Sequence, residues 1–96
     1  MLYALICNDK PDHLHVRMEA RPAHLGFLES LGEGLKAAGP FVNDEGKPTG
    51  SLVIIEAASQ TAAEAIAALD PYAKAGLFAS VEIKPWKWLL KNPENT

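Results

Sequence analysis

Two unbroken apolar runs mark the interior of this chain. Leu2-Tyr3-Ala4-Leu5-Ile6-Cys7 is the first and stops at Asn8-Asp9; Ser51-Leu52-Val53-Ile54-Ile55-Glu56 is the second. Runs of this length with turn residues at their ends predict strands buried on both faces. Between them Pro11-Asp12 opens a helical stretch that reaches Leu31-Gly32, with Pro22 inside it. Proline removes a helix hydrogen bond and crowds the preceding turn, so a kink is expected there, or two helices with Pro22 opening the second. Leu35 to Phe41 contains Gly39-Pro40 and predicts an edge strand, because proline donates nothing to a central ladder. The polar, glycine-containing stretch Asn43 to Gly50 predicts a loop.

Ser59 or Thr61 can cap the next helix, Ala62 to Leu69, and Thr61-Ala62-Ala63-Glu64 has capping-box spacing. Asp70-Pro71 stops it, and Pro71 to Ala75 predicts one further turn closed by Gly76. In Leu77 to Trp86, Val81 and Ile83 alternate with Glu82 and Lys84, and Pro85 follows, as in an edge strand. Residues 91–96 are expected to fray.

The order is β-α-β-β-α-β in a single domain, residues 1–96. Two helices can cover only one face of a four-stranded sheet, with the two unbroken strands central and the two punctuated ones at the edges. That is a ferredoxin-like α+β arrangement. It leaves the second face of the central strands bare, and a second copy of the chain is the economical cover, so a homodimer through the sheet faces is expected.

Composition narrows the function classes. Nine basic residues against twelve acidic ones give a net charge of −3. That balance excludes a nucleic-acid binder built on a basic stripe. About a third of the apolar residues are alanines, which bury little area each. Cys7 is the single cysteine, so no intrachain disulfide and no multi-cysteine zinc site can form. The opening apolar run is too short for a signal-peptide core or a membrane span, which points to a soluble protein in the cytoplasm.

Dinucleotide loops, phosphate loops and the serine elbow have no match; Gly32-Glu33-Gly34 lacks both a third glycine and a lysine. Cys7 reads as a buried small hydrophobe. His13 and His15, two apart near a helix start, diverge and read as surface residues, so no metal site is expected. His24 differs. Phe27, Leu28 and Leu31 follow it at three, four and seven residues, and Arg21 and Arg17 precede it at three and seven. The stripe is apolar at one end and basic at the other, as in a helix lining a cleft. His24 is then either a core histidine satisfied by a carbonyl or a site residue, and the arginines either a solvated face or substrate-binding groups. Asp70 either caps the turn after it or accepts from His24, and one oxygen can serve each role. A carboxylate at an imidazole fixes the tautomer and makes the other ring nitrogen a better base. Tyr72, Trp86 and Trp88 supply aromatic surface for the core, a dimer contact, or the wall of a pocket for a flat ligand.

Several segments together resemble the YciI-like (YCII-related) family. They are Arg17 through Leu25, Gly39-Pro40, Gly50-Ser51 with the strand after it, and Asp70-Pro71-Tyr72 running through Gly76-Leu77-Phe78 to Pro85-Trp86. The resemblance implies a dimeric α+β barrel and a site centred on His24 and Asp70. It also implies an activity of the kind known for a family member that dehydrochlorinates a chlorinated hydroxyhydroquinone. The expected function is a cofactor-free, metal-free enzyme that abstracts a proton, with elimination or isomerisation, from a small anionic or phenolic substrate. His24 and Asp70 would be catalytic, and Arg17, Arg21 and Tyr72 would bind substrate. The alternative is a dimeric module that binds a small metabolite, or serves a neighbouring enzyme, without turnover.

Overall fold

The computed structural model describes residues 1–94. Four strands and three helices follow one another as β1 (Leu2–Asp9), α1 (Leu14–Ser30), β2 (Leu35–Val42), β3 (Pro48–Glu56), α2 (Gln60–Ala68), α3 (Pro71–Lys74) and β4 (Phe78–Trp86). A short 3₁₀ turn, Gly32–Gly34, joins α1 to β2. The sheet is antiparallel with order β2-β3-β1-β4, so the two strands with unbroken apolar runs are central and the strands interrupted by Pro40 and Pro85 are edges. This is the ferredoxin-like α+β arrangement.

Register sorts the side chains. Tyr3 lies opposite Ile55, Leu5 opposite Val53, and Cys7 opposite Ser51. Tyr3, Leu5, Cys7, Val53 and Ile55 pack with Leu28 of α1, Ala63 of α2 and Ala57, just after β3, in the core between sheet and helices. The intervening residues face the other way. There Ala4 and Ile54 are buried, Leu2 and Ile6 half-buried, and Leu52, Phe41 and Trp86 exposed. No helix covers that face, and none in the described residues is long and apolar enough to cross a membrane.

Two local expectations are corrected, and two alternatives are decided. Asp12 has φ 59°, a left-handed conformation that a right-handed helix excludes, so α1 begins only at Leu14 with His13 at its cap. Pro22 does not divide the helix, which runs unbroken to Ser30. The carbonyl that loses its partner belongs to Met18; both residues are exposed, so water can take the place of the missing N–H. β3 starts at Pro48 rather than Ser51 because Asn43 closes the hairpin early. Its side chain accepts from the backbone N–H groups of Glu45 (2.9 Å) and Lys47 (3.0 Å). Ser59, not Thr61, caps α2, accepting from Ala62 N at 3.1 Å.

Beyond β4 the chain ties the two edges of the sheet together. Trp88 sits 5.6 Å from Trp86, ring to ring, and Glu94 accepts from Lys36 Nζ of β2 at 2.6 Å. The fraying expected of the tail falls partly on residues 95 and 96, which lie outside the described residues.

Gly50 lets the two central strands approach closely. A Cβ there would stand 2.3 Å from the carbonyl oxygen of Cys7 and 3.1 Å from the Phe41 ring. The obstacle is backbone and cannot rotate aside. Gly50→Ala should therefore cost about 1–3 kcal/mol, the usual penalty of overpacking. A chemical-denaturation midpoint equal to that of the wild type would contradict this.

Candidate functional site

The helical spacing of Arg17, Arg21, His24 and Leu28 brings all four to one side of α1, above β3 and the β2 edge. Arg17 is 4 % exposed, an uncommon position for a charge. Its guanidinium donates through Nε and Nη2 to Asp9 Oδ2 and Oδ1 at 2.8 and 2.9 Å. Nη2 also donates to Ser51 Oγ at 2.9 Å. Burial works against the charge, but the hydrogen bonds and charge of Asp9, helped by Tyr72, outweigh it and raise the Arg17 pKa further. Removing one member of such a pair typically costs about 3–5 kcal/mol, because the other charge is left stranded.

His24 is 7 % exposed, and its Nδ1 donates to Asp70 Oδ1 at 2.8 Å. An ionised carboxylate only accepts, so the proton on that bond belongs to Nδ1. Asp70 also caps α3, accepting from Tyr72 N at 2.9 Å. Both bonds converge on Oδ1, rather than being shared between the two oxygens. The cap in turn places the Tyr72 ring, which stacks on His24 with centroids 3.9 Å apart at 15°. Arg17 Cζ lies 4.6 Å from the same ring, and Phe78 meets it edge-on at 6.1 Å. Burial raises the Tyr72 pKa, against the opposing charges of Arg17 and Arg21.

These side chains line a cavity of about 280 Å³, closed by Met18, Leu25 and Leu28 on the helix side and by Pro40, Pro48 and Val53 below. Arg17, Arg21, His24, Ser51 and Tyr72 are its polar groups; Asp70 stands behind His24. His24 Nε2 has no protein partner, yet among the described residues no partnerless side-chain nitrogen or oxygen is sealed from solvent. Nε2 is therefore reached from outside, with Nδ1 held from behind. Arg21 is exposed at the rim. Trp86 and Trp88 are elsewhere, at the far end of β4, and take no part in the lining. His13 and His15 are separate as well, and no cluster of three His, Cys, Asp or Glu side chains suited to a metal forms among the described residues.

Asp9 and Ser51 were not singled out by spacing. Ser51 did carry a signal: it is the one polar side chain in alternation with Val53 and Ile55, and so had to face the core. Asp9 gave none beyond ending the first strand.

The YCII-related domain matches residues 1–87. The chain belongs to that family. It is 46 % identical to protein YciI of Escherichia coli, an alignment that covers 91 % of this chain and 97 % of the relative. The 5-chloro-2-hydroxyhydroquinone dehydrochlorinase (TftG) of Burkholderia phenoliruptrix AC1100 has been solved in complex with 2,5-dihydroxybenzoquinone. It is 36 % identical, with a TM-score of 0.83 over 91 % of this chain and 94 % of that one. A dimeric ferredoxin-like protein of unknown function from Jannaschia sp. CCS1, 22 % identical with a TM-score of 0.56 over 88 % of this chain and 98 % of that one, shows the same fold. A chain similar to this one thus has a defined enzymatic activity, and the clasp from Glu94 to Lys36 joins a residue beyond the matched span to one within it.

Beneath the site, burial and the nearby charge of Asp70 push the Cys7 thiol from 9.0 up to about 12. An unfolded Cys7 loses its proton near the lower value, and the folded one keeps it to the higher. Between them the unfolded chain binds fewer protons, so stability falls as pH rises. Tyr72, raised by burial, acts in the same direction. Denaturation midpoints measured from neutral to strongly alkaline pH should fall more steeply for the wild type than for Cys7→Ala. Parallel curves would show that the thiol contributes nothing to the slope.

Proposed function

We propose that this chain is a small acid–base enzyme that removes a proton from a small phenolic or anionic substrate, with elimination or isomerisation as the outcome. The observation that carries this is the division of labour on His24, with Nδ1 fixed by Asp70 and Nε2 open to the cavity. Neutral Nε2 takes the substrate proton, and Asp70 stabilises the imidazolium that forms. The electron pair of the broken bond moves into the ring as a leaving anion departs, or, if nothing leaves, shifts the double bond while the imidazolium returns its proton at the far end of the shifted system. Arg21 meets the oxygen on which negative charge develops. Arg17 has Nη1 left for substrate, since Asp9 and Ser51 hold Nε and Nη2. The flat wall formed by Tyr72 and a volume near the small end of ligand sites suit a single ring. The likeness to a dehydrochlorinase of a hydroxylated aromatic ring supports the same substrate class.

A panel of hydroxylated and halogenated hydroquinones incubated in deuterated water tests this, with halide release and deuterium incorporation as readouts. His24→Ala should lose about 10²–10⁴-fold in rate. A His24→Ala variant as fast as wild type would remove the base. Tight binding with neither exchange nor halide release from any compound would favour a binding module instead.

We further propose that two copies pair through the open sheet faces as a dimeric α+β barrel in the cytoplasm, where a lone thiol stays reduced. Leu52, Phe41 and Trp86 are exposed on that face, and each large apolar side chain covered there contributes about 1.5–3 kcal/mol. Light scattering should give twice the 10.3 kDa chain mass. A folded monomer at micromolar concentration would refute the pairing.

A further inference from the structure

Ser51 faces the cavity with only part of its hydrogen-bonding capacity used. Its Oγ accepts from Arg17 Nη2 at 2.9 Å. A guanidinium has no acceptor, so the hydroxyl hydrogen must be directed elsewhere. No side chain or carbonyl among the described residues takes it, although Ser51 is 3 % exposed. The remaining direction is the cavity that Ser51 lines. The N–H it receives is cationic, and accepting a charge-assisted bond polarises the hydroxyl into a stronger donor. The same bond weakens Oγ as a nucleophile, and no hydrogen bond joins it to His24, which separates this arrangement from a serine–histidine pair.

We propose that Ser51 grips the substrate oxygen alongside Arg21, with Arg17 and Asp9 as positioning residues that hold the serine ready. Asp9 engages two nitrogens of Arg17, and Arg17 fixes the serine, so the donor is oriented before any ligand arrives. The cavity's charged groups, Arg17 and Arg21, also only donate. The ligand class this selects is a ring oxygen without a hydrogen, a carbonyl, enolate or phenolate. A protonated alcohol would set hydrogen against hydrogen. The proposal rests on the acid–base function in one respect, that the gripped oxygen is the one whose charge grows when His24 takes the proton.

The probe is 4-nitrophenol, whose phenolate absorbs in the visible, titrated against the full chain and read by its bound spectrum. The wild type should bind the phenolate. Ser51→Ala should weaken binding roughly 10–100-fold, the range for a lost hydrogen bond to a charged group. It should also move the bound band, which loss of packing alone would not do. Ser51→Thr restores a hydroxyl and should restore both affinity and band. An alanine variant with wild-type affinity and band would overturn the proposal. So would a folded threonine variant that binds like alanine, or a wild type that binds no phenolate at millimolar probe. If deuterium exchange survives in His24→Ala while Ser51→Ala still loses the phenolate, the base assignment fails and the serine's role stands.

Discussion

Arg17 holds a full positive charge beneath a helix with almost no contact with water, and the rest of the site follows from what that requires. An unpaired guanidinium there would be prohibitively costly, so the fold must deliver an acidic partner from elsewhere in the chain. Asp9 arrives at the end of β1, where the pairing with β4 slips by a residue. Ser51 arrives on β3 and Tyr72 from α3. Four elements thus meet at one cation, and His24, one stripe further along α1, inherits a rigid neighbour in the Tyr72 ring.

A chain this short has little core to spare, and the alanines of α2 contribute little area. Much of its order therefore comes from polar closure rather than bulk. Asn43 closes the hairpin, Ser59 and Asp70 close helix ends, and Glu94 holds Lys36. The sheet edges are treated similarly. Pro40 and Pro85 each withhold an N–H from an outer strand, and Gln60 Nε2 donates to the carbonyl of Ile83 at 2.9 Å. Such edges discourage a stray strand from adding to the sheet.

Much of the fold was legible because hydrophobic pattern and punctuation agree. Unbroken runs are central strands here, and runs interrupted by proline are edges. Elsewhere a local rule yielded to its surroundings. Pro22 stays within one helix because the orphaned carbonyl is wet, and Asp12 adopts a left-handed turn that no periodicity announces. At the site, His24 showed itself as a histidine on an apolar stripe and Asp70 as a carboxylate before a proline. The ion pair of Arg17 with Asp9 was invisible, because register between α1 and β1 is a tertiary fact. Arg17 therefore looked like a free hand for substrate when most of its donors are spoken for.

Asp70 uses a single oxygen both to start α3 and to hold the imidazole. Helix capping and imidazole orientation are thereby inherited as one trait. A lineage cannot drift in the orientation of this imidazole without losing the turn that carries Tyr72, so selection on stability alone preserves the geometry around Nε2. Diversity among descendants should accumulate instead in the opposite wall, at Ala38, Gly39, Pro40 and Pro48. Those residues shape the cavity and contribute none of its polar side chains.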